Sequence, residues 1–181
     1  HIVGFGEGFE VPAESAPWSD FHWFAVSPRE VLNLVILSSR PMWYTGHFYS
    51  GRMEPCLGQR CDRCAEGVGA QVRYCFGVAE TSTKRIGLVE MGRGNGLLLQ
   101  DWSFVQGGLR GMLIEMSKQS KASQSRTEIK LVERPVPLWI DGLEGPDVGL
   151  ALFLTWEKAR FRVPQEMVER YSRIHSPGRI R

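Results

Sequence analysis

The chain has 181 residues, 43% of them hydrophobic and 23% charged, a balance that suits a globular protein and argues against a disordered one. Net charge is only +2, from 22 basic and 20 acidic residues, so composition alone does not ask for nucleic acid. No apolar run reaches the ~18 residues of a membrane span, and the start His1-Ile2-Val3-Gly4-Phe5-Gly6 lacks the basic-then-apolar order of a signal peptide.

Residues 1–20 mix Gly, Pro, Ser and acids without an apolar period, which predicts a surface arm. Phe21 to Val26 reads as a short strand. Ser27-Pro28-Arg29-Glu30 has the pattern of a capping box, with Pro at the first helical position, and predicts one helical turn. Leu34 to Leu37 is an apolar run broken by Pro41, and Met42 to Tyr49 is an aromatic strand. A cysteine-bearing loop fills Gly51 to Gly69. Gln71 to Glu80 and Lys84 to Met91 alternate as strands about a Thr81-Ser82-Thr83 turn.

The glycine-rich stretch Met91 to Gly96 reads as a flexible connection; no Gly-Lys-Ser/Thr follows, so it is not a phosphate loop. Leu98, Trp102 and Val105 stand at helical spacing, which predicts a short helix from Leu97 to Gln106 ended by Gly107-Gly108. Gly111–Met116 and Thr127–Val132 read as a strand pair joined by a basic Ser/Gln loop. Val136–Ile140 and Val148–Thr155 read as further strands, and Pro164–Tyr171 as a terminal helix.

Several strands with few helices argue against a parallel βαβ fold. The pattern predicts a mainly β domain: an OB-like Greek-key barrel with a zinc-binding loop inserted between strands, one short middle helix and a C-terminal helix. The expected division is a 1–20 arm, a 21–160 domain with the zinc loop at 47–75, and a 161–181 helix and basic tail.

All four cysteines, Cys56, Cys61, Cys64 and Cys75, fall within twenty residues. The core spacing Cys56-x4-Cys61-x2-Cys64 can bring thiolates onto one tetrahedral ion, and zinc favours such soft ligands. Either His47 or Cys75 can supply the fourth ligand; His47 is preferred, because a cysteine inside Tyr74-Cys75-Phe76 also suits a small buried apolar position. Four protein ligands leave no open position for water, so the expected zinc is structural. A deaminase-type site would need His-x-Glu, whereas His47 is followed by Phe48 and Tyr49. No other acid or histidine spacing asks for catalysis, and the expectation is a protein that is not an enzyme.

Aromatic and basic residues flank the cysteine loop. Trp43, Tyr44, Phe48, Tyr49 and Arg52 come near its start; Arg73, Tyr74, Phe76, Lys84 and Arg85 follow it. Lys118, Lys121, Arg126 and Lys130 line the later basic loop. Such interleaving suits single-stranded nucleic acid, with bases on rings and phosphates on cations. Strand alternation must bury one of each adjacent aromatic pair, so the exposed set is left open.

The run Thr45-Gly46-His47-Phe48, Pro55-Cys56, Cys61-Asp62-Arg63-Cys64 resembles the zinc loop of phage and mobile-element single-stranded DNA-binding proteins, the T-even phage helix-destabilising group. The resemblance covers about residues 43–80. It implies an OB fold, one His and three Cys on a structural zinc, and sequence-tolerant single-stranded DNA binding in replication or recombination. It also implies other replication proteins as partners, no membrane, and a cytoplasmic or nucleoid setting. The His-to-Cys spacings are shorter here than in that group. The alternatives are a zinc-containing RNA- or double-stranded-DNA-binding regulator, or a protein–protein adaptor with the zinc loop as scaffold.

Overall fold

The computed structural model describes residues 22–118 and 126–171. The expected arm, Lys121 and the basic tail beyond 171 lie outside them. The chain is mainly β, with eight strands in one mixed sheet: β1 (Trp23–Phe24), β2 (Val31–Ile36), β3 (Met42–Tyr49), β4 (Arg52–Pro55), β5 (Ala70–Glu80), β6 (Ile86–Gly92), β7 (Leu113–Lys118) and β8 (Thr127–Leu131). Four helices accompany them: α1 (Asp62–Ala65), α2 (Arg93–Gln106), α3 (Val148–Lys158) and α4 (Gln165–Tyr171).

The axis of the sheet is β5. One edge of it pairs with β6, antiparallel from Arg73↔Gly92 to Ala79↔Ile86. The other edge serves two strands in turn. β3 covers the first half (Met42↔Cys75 to His47↔Ala70) and β2 the last three residues (Leu34↔Glu80 to Ile36↔Val78). The break between them contains Pro41, which has no N–H to give to a ladder. From β2 the sheet continues to β7 and β8, from β3 to β4, and β1 lies parallel on β6. Among the described residues no pairing joins β8 to β1, so the ladder path is open.

Period-2 alternation sorts β5 between two cores. Tyr74, Phe76 and Val78 enter a cluster with Leu34, Ile36, Val89, Leu99 and Ile114 under α2. Cys75 faces the other way, into a cluster built with Tyr44, Phe153, Trp156 and Tyr171 under α3 and α4. On that second face Ala79 joins Val35, Leu37 and Ile140.

Four elements depart from the sequence expectations. Ser27–Glu30 is a turn, not a helical one: Glu30 N–H bonds Ser27 O at 3.0 Å and Arg29 has φ 69°, the left-handed third position of a type II turn with Pro28 before it. The Glu30 carboxylate still reaches back to Ser27 N–H at 2.8 Å. The Arg93–Gly96 stretch is the first turn of α2, not a connection. A side chain at Gly96 would run into the Tyr74 ring, so the glycine permits close helix–sheet approach. Val136–Ile140 forms a short 3-10 turn over Leu138–Ile140, since Pro135 and Pro137 remove ladder donors. Val148–Thr155 is the helix α3; Asp147 caps it by accepting from Leu150 N–H at 3.0 Å. The middle helix ends at Gly107 (φ 77°) and the terminal helix spans Gln165–Tyr171, as the pattern predicts. Among the described residues no helix is long and apolar enough to cross a membrane.

Candidate functional site

The candidate metal ligands are assembled by one hairpin and one helical turn. β3 and β4 pair from Gly46↔Pro55 to Tyr49↔Arg52. Ser50 (φ 48°) and Gly51 (φ 79°) join them with the two left-handed residues that a tight hairpin turn demands. Cys56 then stays beside β3, its N–H bonding Thr45 O at 2.8 Å. A 3-10 turn over Gly58–Arg60 reverses the chain, and Cys61 begins α1. Cys61 and Cys64, three apart at this helix start, present their sulfurs on one side.

The four candidate atoms gather tightly: His47 and the sulfurs of Cys56, Cys61 and Cys64 all lie within 4.8 Å of one another. Cys56 Sγ is 3.6 Å from Cys64 Sγ. His47 Nε2 is 3.4 Å from Cys61 Sγ and 3.5 Å from Cys64 Sγ. A tetrahedron with metal–sulfur bonds of ~2.3 Å and a metal–nitrogen bond of ~2.0 Å has edges of about 3.5–3.8 Å. The spacing therefore suits one small ion bonded to all four groups. His47 is fully buried, and its Nδ1–H donates to Val68 O at 2.9 Å. A carbonyl only accepts, so the proton sits on Nδ1 and the Nε2 lone pair faces the thiols, the usual orienting contact behind a metal-bound histidine.

The thiols titrate unevenly. Burial alone pushes Cys61 up, but backbone hydrogen bonds at Leu57, Cys64 and Arg63, with one from Cys56, bring it down to about 7. Cys64 is pushed up to about 11, first by its hydrogen bond to Cys56 and then by desolvation and Cys61. Three crowded sulfurs cannot all ionise cheaply without a cation among them. All four cysteines are free thiols. Cys75 lies outside the cluster, fully buried in the core under α3. Geometry thus places His47, and not Cys75, with the other three candidate ligands. The other charges nearby brace the loop: Arg63 Nε bonds Glu54 at 2.9 Å, its Nη1 bonds Glu66 at 2.8 Å, and its guanidinium lies 3.6 Å over the Tyr49 ring.

The aromatic candidates divide by strand parity. Tyr44 is buried, donates to Glu90 Oε2 at 2.6 Å and packs edge-on against Trp156 at 5.0 Å. Tyr74 and Phe76 are core residues, and Trp43 is half-buried against the same cluster. Expected as stacking platforms, Tyr44, Tyr74 and Phe76 are closed off in this fold because they supply its two cores. Phe48 and Tyr49 do reach solvent, at 58% and 39% exposure, next to exposed Arg52. Arg73 is bound to Glu90 at 2.7 Å.

The remaining basic candidates converge at the opposite end of β5. The register sets three distant segments side by side there: the turn at 27–30 before β2, the turn at 81–85 between β5 and β6, and the paired ends of β7 and β8 at Lys118↔Thr127. They bring together Lys84, Arg85, Lys118 and Arg126, of which Lys118 is half-buried and the rest exposed. Arg29, which no sequence pattern singles out, joins them; its backbone N–H bonds Lys118 O at 3.1 Å. Lys130 sits three pairs along β8 from Lys118↔Thr127, opposite Glu115. Two acids at this end are engaged locally: Glu30 is folded back on Ser27, and Glu80 is buried in bonds to Ser82 and Thr83.

No family model, curated protein or solved structure matches this chain. The site is therefore read from its own geometry.

Proposed function

We propose that this protein is a sequence-tolerant single-stranded DNA-binding protein whose inserted loop is held by a structural zinc. The observation that carries the reading is the convergence of Arg29, Lys84, Arg85, Lys118 and Arg126 at one end of the sheet, from turns far apart in sequence. Clustered cations of this kind attract phosphates and release counterions. Exposed Phe48 and Tyr49 on the β3–β4 hairpin offer ring faces to unstacked bases. Zinc is the ion of choice because three thiolates and one imidazole form a closed, soft, four-ligand set. On this reading the protein works by binding and not by catalysis, in replication or recombination of a phage or mobile element, with an OB-like sheet as its platform.

Fluorescence anisotropy with a labelled oligo-dT, over a salt series and with RNA and duplex competitors, tests it. Tight, salt-sensitive, single-strand-selective binding is expected. Removing Arg85 and Lys118 together should lower the salt slope by about 1.4, at ~0.7 per phosphate contact on a single strand. No binding at low salt overturns the reading.

An adaptor is the second reading, and one observation favours it. Leu97, Leu98, Phe104 and Val105 share one side of α2 and are exposed, the last two at 79% and 82%. An apolar stripe of that width is uncommon on a helix with nothing to cover it. Failure of every oligonucleotide probe would favour this reading.

A further inference from the structure

The chain enters the described fold beside the basic end of the sheet. β1 lies parallel on β6, with Trp23 opposite Leu88 and Phe24 opposite Val89, and the His22 carbonyl accepts from Leu88 N–H at 2.8 Å. Followed back towards the N-terminus, β1 therefore runs down β6 towards Ile86 and the 81–85 turn. A side chain on Gly87 would run into the His22 carbonyl, so the two backbones touch at a point two residues from Arg85. Residues 1–21 are thus tethered at the end that carries Arg29, Lys84, Arg85, Lys118 and Arg126.

Their charge is opposite to that end. Residues 1–21 contain Glu7, Glu10, Glu14 and Asp20 and no Lys or Arg. The remainder of the chain holds all 22 basic residues against 16 of the 20 acids. Phe5, Phe9 and Trp18 stand among the four carboxylates, so the segment offers anions and flat rings together, the chemistry of a single nucleic-acid strand. Of the acids already at the basic end, Glu30 and Glu80 are engaged locally.

Reach does not limit the contact. The path from β1 across β6, β5, β2 and β7 to β8 is five strand spacings, about 24 Å at ~4.8 Å each. Glu14 lies eight residues before His22, a tether of up to ~27 Å, and Glu10 and Glu7 have longer ones. Tethering holds such groups near their target at an effective concentration of order mM, far above that of a free competitor.

We propose that residues 1–21 occupy the basic end as an acidic stand-in for a nucleic-acid strand, their carboxylates on its cations, and that an incoming single strand must displace them. The contact stands on charge and tethering alone; its effect as a brake on binding rests on the single-strand reading.

Zero-length carbodiimide crosslinking of the full-length, metal-loaded chain tests the contact, with the chain mixed with an isotope-labelled copy and the products mapped by peptide. Amide links from Glu7, Glu10, Glu14 or Asp20 to Lys84 or Lys118 within one chain are expected, and oligo-dT should suppress them. Absence of these links, or links only between chains, overturns the proposal. Neutralising the four acids together (Glu7→Gln, Glu10→Gln, Glu14→Gln, Asp20→Asn) should tighten oligo-dT binding about 10-fold at low salt. That is the gain if the segment holds the end roughly nine-tenths of the time, and the difference should close as salt screens the charges. Wild-type affinity in this variant overturns the brake and leaves the single-strand reading standing. Links within one chain, with no oligo-dT binding by either form, uphold the contact and overturn the single-strand reading.

Discussion

The two ends of β5 are fastened by different chemistry. At its start, Ala70 pairs with His47, and the loop before it folds around four metal-ligating groups. At its end, Glu80 is buried and its carboxylate accepts four hydrogen bonds: from Ser82 N–H and Oγ at 3.2 and 2.7 Å, and from Thr83 N–H and Oγ at 2.7 and 2.5 Å. On the proposed zinc reading, the first device depends on an external ion and on thiol protonation. The second is complete within the chain. The end fastened by the carboxylate is also the one where Lys84, Arg85 and Arg126 stand exposed. Glu80 holds the 81–85 turn in shape, and Lys84 and Arg85 ride on it, Lys84 in a left-handed conformation (φ 58°).

Breaking the metal end should produce the largest effect. Cys61→Ser, or removal of metal by a chelator, is expected to cost more than about 4 kcal/mol, since structural metal binding is folding energy. Thermal melting with a parallel zinc assay checks it; melting unchanged without metal would remove the structural-zinc reading. Cys75→Ser is the matched control. It should cost about 1–3 kcal/mol for a hydroxyl in an apolar core, while metal content stays at wild type.

Next in size is the close approach of α2 to β5. Gly96→Ala forces a methyl against Tyr74 and should destabilise by about 1–3 kcal/mol, read from the denaturant midpoint. This separates strain along the middle of β5 from the fastening at its ends.

Glu80→Gln should cost about 1–3 kcal/mol, because an amide cannot accept all four bonds. Burial pushes the Glu80 carboxyl up, but the hydrogen bonds from Thr83 and Ser82 outweigh it and hold it below the usual carboxylate range. A carboxyl with a depressed folded pKa stabilises fully above its unfolded value of ~4.3 and loses that contribution as pH falls through the folded value. The stability gap between wild type and Glu80→Gln should thus be widest near neutrality and close in acid. A gap that persists at the lowest pH would show that the lost bonds do not act through the ionised carboxylate.

Smallest on stability are Arg85→Ala and Lys118→Ala, each expected within about 0.5 kcal/mol, because exposed cations contribute little to folding. Their effect belongs in the salt slope of binding. A large loss of stability in either variant would move that end of the sheet from recognition to structure.

Local chemistry was legible in the sequence. The Cys-x4-Cys-x2-Cys spacing, the strand Met42–Tyr49, the middle helix stop at Gly107 and the terminal helix each follow from patterns spanning a few residues, and each is found. α3 was missed because it is apolar on nearly every side. Val148, Ala151, Leu152 and Trp156 keep a helical spacing, but Leu150, Phe153 and Leu154 fill the gaps between them with apolar side chains, so the sequence shows no clear 3.6-residue period and the run resembles a buried strand. The 3-10 turn at Leu138–Ile140 was missed for a related reason: Trp139 and Ile140 sit on the third core cluster, and burial alone does not distinguish strand from turn.

The sequence by itself determined the ligand types and their spacing, because coordination chemistry acts over a short loop. Only the tertiary structure decided between His47 and Cys75. That choice depends on which way β3 and β5 turn their side chains when a sheet is covered on both faces. The tertiary structure alone also joined Arg29, Lys84, Lys118 and Arg126, since strand register, not proximity in the chain, carries these residues to one end of the sheet. The same register buried Tyr44, Tyr74 and Phe76 and left Phe48 and Tyr49 in solvent, because aromatic residues on a strand go where the helices that cover it are placed.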